Sequence, residues 1–524
     1  MLPNTLPSVL GLLFAVVLFT TVARRLRLPY PSLLALGGLL MALVPGLPRM
    51  ELAPEVVLLV FLPPLLFGAG WRISWREFVA HVRPIGVLAV GLVLFTTLGV
   101  GLVAHGLDPA LPLGAAIVLG AIVSPTDPLA ASAVARQVRL PRQIITILEG
   151  ESLANDATGL VVYRIAIGAV AAGSFSVLGG IAMFVLMATG GVATGLIIGF
   201  ISVQLQRAVD DPPIEFALQL LTGYAAYLVA ERVGFSGVFA AASAGLLCGH
   251  YWSYALGARS RLQAVAVWDT LDFLLNAVLF LLLGLQLPVV LSQAGDSDFG
   301  RLVLNGLGVS LLAIVLRMGW MFAGALVSKT LPAEVRGDKP VRSANVIALL
   351  GWSGMRGVLS LATALAVPQT TQSGAPFPGR ANILFYAFCV IVVTLVVQGL
   401  PLPLVIRWLR ISRDEPRHDE DRLARIRTAR AARDRLEQLI ADGDELTREL
   451  GADLRARYLR LLEHFEAEAA SGQGGRIQAE ITRLRGELAH AQRLALLDLH
   501  RKGLIDDETF RRIERELDLE EQSS

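Results

Sequence analysis

Apolar runs separated by short polar, arginine-bearing stretches fill the chain as far as residue 408. Many of them reach the ~20 residues that let a helix cross a bilayer. Their limits predict thirteen spans: 6–23, 31–48, 52–70, 84–104, 112–135, 143–171, 176–206, 214–231, 235–250, 264–290, 303–328, 343–367 and 382–408. The pattern changes at Ile411. Beyond it Arg, Glu and Asp are dense, and apolar residues recur at helical spacing among mixed charges, as in RLARIRTARAARDRLEQLI and ITRLRGELAHAQRLALLDLH. The chain therefore reads as all-α, with a polytopic membrane domain over 1–408 and a helical tail over 409–524. GQGG at 472–475 marks a hinge in the tail, and the acids of DDETFRRIEREL suit a helix N-terminus.

The loops orient the spans. With the N-terminus outside, an odd number of spans leaves the tail in the cytoplasm. The predicted inner loops then hold sixteen Lys and Arg residues, from Arg24 to Arg342, against Arg49, Arg232, Arg301 and Arg380 outside. That is the cytoplasmic excess of basic residues found in membrane proteins. The run from Leu6 to Ala23 has no basic residue before it and no clear small-residue cleavage site, so it reads as a retained helix.

Composition agrees with a membrane protein. Hydrophobic residues make up 54% and charged residues 17% of the 524, where soluble domains carry about 25% charged residues. Mean hydropathy is +0.60. A net charge of +2 gives no reason to expect a nucleic-acid partner. Cys248 and Cys389 lie in apolar runs, read as small buried hydrophobes, and form no disulfide framework or metal-ligand spacing. No cofactor motif is present.

Two spans are interrupted. The fifth contains SPTDP at 124–128, where Pro125 and Pro128 remove amide donors and disfavour helix at the residues before them. The twelfth contains GWSGMRG at 351–357, with three glycines around Arg356. If thirteen spans divide as six, one and six, both interruptions fall in the fifth span of their half, and the halves are inverted in topology. Interrupted helices in matching positions point to a transport site between repeats. The rival reading of SPTDP is a surface loop joining two short segments.

Carboxylates gather around these interruptions. EGESLANDATGLVVYR, residues 149–164, opens with Glu149, Glu151 and Asp156 before turning apolar. A charge at mid-bilayer costs roughly 2.5–3.5 kcal/mol on insertion scales, so Asp127, Glu151, Asp156 and Arg356 together predict a functional site at a water-filled cavity. Ser152 and Asp156, four apart, share one helix face, and Glu151 and Asn155 form the adjacent stripe. With Thr126 and Asp127 from the interruption they make an all-oxygen environment suited to a small hard cation such as Na+. A carboxylate held partly out of water favours its protonated form, so a proton and a cation compete for it. Arg356 is a counter-charge for Glu151 or Asp127. Glu149 reads as a helix-dipole acid and Glu151 as a member of a structural ion pair. Arg164 either pairs with an acid or snorkels outward. His81 and His105 fall in predicted, solvated loops.

SPTDP, EGESLAND with LVVYR, and GWSGMRGVLSLA resemble the signature segments of NhaP/NHE-type sodium/proton exchangers, the first cation:proton antiporter family. FLPPLLFGAGW and NAVLFLLLGLQL resemble two further family segments, so the likeness covers nearly all of 1–408. The resemblance implies a 13-helix fold of inverted repeats, core and dimerisation domains with elevator-like movement, and a homodimer. It implies that Asp156 carries the cation and the proton, that Thr126, Asp127 and Ser152 line the same site, and that Glu151 pairs with Arg356. It further implies that Asn155, where electrogenic relatives carry a second Asp, marks electroneutral exchange. Gly68 stands where many relatives have an acid, which bears on ion preference and pH profile.

The expected activity is exchange of Na+, with K+ and Li+ as further candidates, for H+ across the bilayer of the plasma (inner) membrane, without enzymatic chemistry. The alternative is a membrane sensor or channel-like protein with an acid-lined gate and a signalling tail. An intramembrane hydrolase is weaker, since no histidine or metal-binding motif accompanies the Asp156 segment.

Overall fold

Prolines and serines start the helices, and glycines and broken patterns end them. Ser176 and Ser236 accept hydrogen bonds from the backbone N–H groups of Gly179 and Phe239, capping two helix starts. Pro212 and Pro213 occupy a first turn, where a missing N–H costs nothing, and Gly234 closes the same helix with φ +87°. The computed structural model describes residues 5–45, 52–127, 129, 131–132, 142–294, 299–330, 343–371, 374–411, 418–442 and parts of 449–517.

The principal helices of the first 414 residues are α1 (Thr5–Leu26), α2 (Tyr30–Ala42), α3 (Leu62–Arg72), α4 (Val93–Leu107), α5 (Leu113–Val123), α6 (Arg142–Ala172), α7 (Val177–Arg207), α8 (Pro212–Val233), α9 (Gly237–Ala255), α10 (Ala258–Leu285), α11 (Phe299–Thr330), α12 (Ala344–Trp352), α13 (Val358–Leu365) and α14 (Arg380–Val393). They fall on the predicted spans. Among the described residues nine segments are long and apolar enough to cross a membrane, and α2 and α5 are shorter apolar helices. Phe14, Leu178 and Leu304 are 70%, 79% and 70% exposed, a surface suited to lipid rather than water.

Packing sorts the helices into two sets. α3, α8 and α7 pack on α9, and α2 packs on α10; α4, α5, α11, α12 and α14 pack on one another, with α6 against α5. Prolines inside these helices leave carbonyls in need of donors. Pro64 has no N–H for the Val60 carbonyl, and the Tyr224 hydroxyl donates to that oxygen at 2.7 Å. The backbone widens to a π-turn over Val57–Phe61, just before Pro63 and Pro64, and again over Thr394–Gly399, just before Pro401.

Three readings change. His81 is not in a solvated loop: it is 8% exposed, between Trp75–Ala80 and Val82–Gly86, and its Nδ1 lies 2.8 Å from the Glu77 carbonyl. His105 lies within α4, its Nδ1 2.8 Å from the Leu111 carbonyl. Glu149 is two turns inside α6, because that helix starts at Arg142, so it is not a first-turn dipole acid.

Residues 415–524 form a second compact unit, whose described part includes the helix His418–Asp442. Of the residues used to orient and divide the chain, Arg49, Pro128, Arg136, Arg139, Arg336, Lys339, Arg342, the 472–475 glycine stretch and Asp506 and Asp507 lie outside the described residues.

Candidate cation site and its buried clamp

The two interruptions meet. α5 ends at Val123 and residues 124–127 are unwound. α12 ends at Trp352 and helix resumes only at Val358. The backbone N–H of Asp127 donates to the Met355 carbonyl at 2.7 Å, joining one unwound stretch to the other. Gly357 permits this approach, since a methyl group there would strike the Asp127 carboxylate. Ser124 and Thr126 are buried, so residues 124–127 are not a surface loop.

A cavity of 260 Å³ opens between the two helix sets. Asp127 from the interruption and Ser152 and Asp156 from α6 line it, together with Glu149, Ser132, and Arg72, Asp269 and Asp272 from the facing helices. Asp127, Ser152 and Asp156 are partly exposed. The Leu129 N–H donates to Asp127 Oδ1 at 2.9 Å, which turns the carboxylate back over the unwound segment. Asp127 stands in the electrostatic field of both Asp156 and Asp272. The spacing argument thus places its first stripe on the cavity wall.

Behind the wall lies a dry network. Glu151 is 2% and Arg317 is 1% exposed, and they pair side-on: Nη1 to Oε1 at 2.5 Å and Nη2 to Oε2 at 3.1 Å. Such a planar, bidentate fit is what a guanidinium offers a carboxylate. The Thr126 hydroxyl donates to Glu151 Oε1 at 3.1 Å and accepts from Asn155 Nδ2 at 2.9 Å. Arg317 also donates to the Leu350 carbonyl at 3.0 Å, near the end of α12. Thr126 and Asn155 are therefore turned into this clamp, not onto the cavity wall. Asn155 keeps one acceptor, Oδ1, with no donor among the described residues.

The expected pairing of Glu151 with Arg356 is corrected here. Arg356 donates from Nε to the Val123 carbonyl at 2.9 Å, from Nη1 to the Gly354 carbonyl at 2.5 Å and from Nη2 to the Ala313 carbonyl at 3.4 Å. Two of these carbonyls, Val123 and Gly354, lie where the helices are broken, where a cation also complements the negative helix end, and the third, Ala313, lies within α11. Arg317 comes from an unbroken helix and passes Gly354, where any side chain would strike its guanidinium. The sequence signal for Arg317 was available: it is the single charged residue in the predicted span 303–328.

Two further positions are settled by contacts. Arg164 pairs with Glu231 at 2.6 Å. Gly68 faces Trp268, whose ring would lie 3.0 Å from an added Cβ, so indole fills the room beside it. Trp268 in turn donates to Gln219 Oε1 at 2.7 Å. Cys248 is buried, Cys389 is partly buried, and neither is in a disulfide.

The sequence model described as "Sodium/hydrogen exchanger, transmembrane" matches residues 12–408. This chain belongs to the sodium/hydrogen exchanger family. An uncharacterized Na+/H+ exchanger of Mycobacterium tuberculosis is 37% identical to this exchanger over 98% of the chain and 95% of its own length. A sodium, potassium, lithium and rubidium/H+ antiporter of Bacillus subtilis is 31% identical over 92% of this chain and 72% of its own. Among solved structures, the sodium proton antiporter MjNhaP1 from Methanocaldococcus jannaschii at pH 8 matches with a TM-score of 0.61 and 23% identity, over 77% of this chain and 99% of that one. That likeness shows the fold: the exchanger has the helical architecture of the NhaP antiporters.

Proposed function

We propose that this exchanger carries Na+ in exchange for H+ across the plasma membrane by alternating access, with K+ and Li+ as further substrates. The observation that carries the reading is the division of two neighbouring acids of α6. Glu151 is neutralised by a buried arginine, whereas Asp156 faces the 260 Å³ cavity beside Asp127 and Ser152. A carboxylate placed so takes up either a proton or a hard cation, and a bare charge crossing the membrane is disfavoured. Asp156 is the carrier. Asp127 and Ser152 supply further oxygens, and Thr126 and Asn155 hold the unwound segment in place from behind. With one carrier carboxylate, one cation exchanges for one proton and transport is electroneutral. The name of the Bacillus subtilis relative gives four alkali cations, which supports a site that takes more than one.

The thirteen spans form two inverted halves around this site, with the N-terminus outside. The chain is a homodimer, and residues 409–524 form a cytoplasmic domain.

Proteoliposomes loaded with a pH dye test the reading. An imposed Na+ gradient should drive proton flux that is insensitive to membrane potential. Asp156→Asn should abolish it while the purified protein stays monodisperse. Flux at the normal rate in Asp156→Asn, or uncoupled current in the parent, would overturn the assignment.

A further inference from the structure

The cavity that holds Asp156 also holds a cation of its own. Arg72, the last residue of α3, lines it, and its Nη2 lies 3.1 Å from Asp272 Oδ1 on α10. Arg72 is the one basic residue among the described residues lining the cavity, against Asp127, Glu149, Asp156, Asp269 and Asp272. The Tyr30 ring lines the same space, within the field of Arg72, Asp127 and Asp272. The pair is not dry: its side chains are 19% and 20% exposed.

We infer that Arg72 is an affinity-determining residue, an internal competitor that occupies Asp272 and so weakens the cavity's hold on the transported cation. The inference rests on the exchange reading above. Five carboxylates around one cavity draw cations in from the water. Arg72 subtracts from that attraction and is tethered, so it is always at hand. The pair borders the cavity and is one-fifth exposed, so an ion that enters the cavity can reach Asp272. When cations are scarce, the guanidinium keeps Asp272 neutralised. When they accumulate, an arriving cation shares Asp272 and moves on towards Asp127 and Asp156. The exchanger therefore responds to abundant cation and stays nearly idle when cation is dilute.

Charge additivity gives a test that a merely structural clasp fails. Proton flux in proteoliposomes is measured against Na+ and against K+, with ionic strength held constant by an impermeant cation. Arg72→Gln, which frees Asp272, should lower KM about fivefold, and Asp272→Asn, which strands Arg72, should raise it about fivefold. The double variant restores the net charge and should return to within about twofold of the parent. Arg72→Lys should stay near the parent, and kcat should change little throughout. KM shifts of the same sign in both single variants would overturn the inference, as would unchanged KM with loss of kcat or thermal stability alone. If Arg72→Gln does not fold, Asp272→Asn decides, and a KM that is unchanged or lower sinks the idea. Loss of coupled flux in the parent protein would sink the exchange reading instead, which keeps the two failures apart.

Discussion

Glu151 and Asn155 share one stripe of α6; Ser152 and Asp156 share the next. One residue of offset separates two opposite solutions to a polar group in the membrane. Glu151 meets a guanidinium, a hydroxyl and, through that hydroxyl, an amide, all from protein, and is 2% exposed. Asp156 receives no hydrogen bond among the described residues and borders a cavity. A fully partnered acid has nothing left for a passing ion. The contrast is one of surroundings: the clamp pins the unwound segment from the dry side, while Asp156 borders the cavity.

The largest way to break that contrast is to remove the clamp's cation. Arg317→Ala strands Glu151 in a dry interior and should destabilise the protein by about 3–5 kcal/mol. The melting temperature in detergent should fall sharply, and exchange should fail because the protein fails. Arg356→Ala should cost less, roughly 1–3 kcal/mol, because carbonyls rather than a charge lose their donors. Had Arg356 been the partner of Glu151, the order would be reversed, so the two melting curves together decide which arginine pairs. The smallest effect should come from the wet side. Ser152→Ala removes one neutral oxygen from the cavity wall and should leave the melting temperature within about 1 °C. Its KM for Na+ should rise several-fold, visible in the dependence of flux on cation concentration.

Much of this architecture was legible from residue pattern alone. The apolar runs located the helices, because lipid demands internally satisfied backbone. The prolines of SPTDP and the glycines of GWSGMRG located the interruptions, and four-residue spacing put Ser152 with Asp156. The clamp was legible only in part. Spacing set Glu151 beside Asn155, yet it gave no information on which distant helix brings the counter-charge. Arg317 and Arg356 both lie deep, and only the path past Gly354 separates them. Arg72 and Asp272 were harder still: 200 positions separate them along the chain (272 − 72), and their meeting depends on α3 and α10 facing one cavity. Gly68 looked like a lost ligand, whereas its surroundings show an indole seated against it.

The link between Asp127 N–H and the Met355 carbonyl runs wholly through the main chain. Alanine scanning would pass over it, since truncating either side chain leaves both atoms in place. Any displacement of Asp127 relative to residue 355 would have to break that bond. The two unwound stretches are thus joined by a main-chain rivet, which a bulkier residue at Gly357 would disturb and a truncation at 127 or 355 would not.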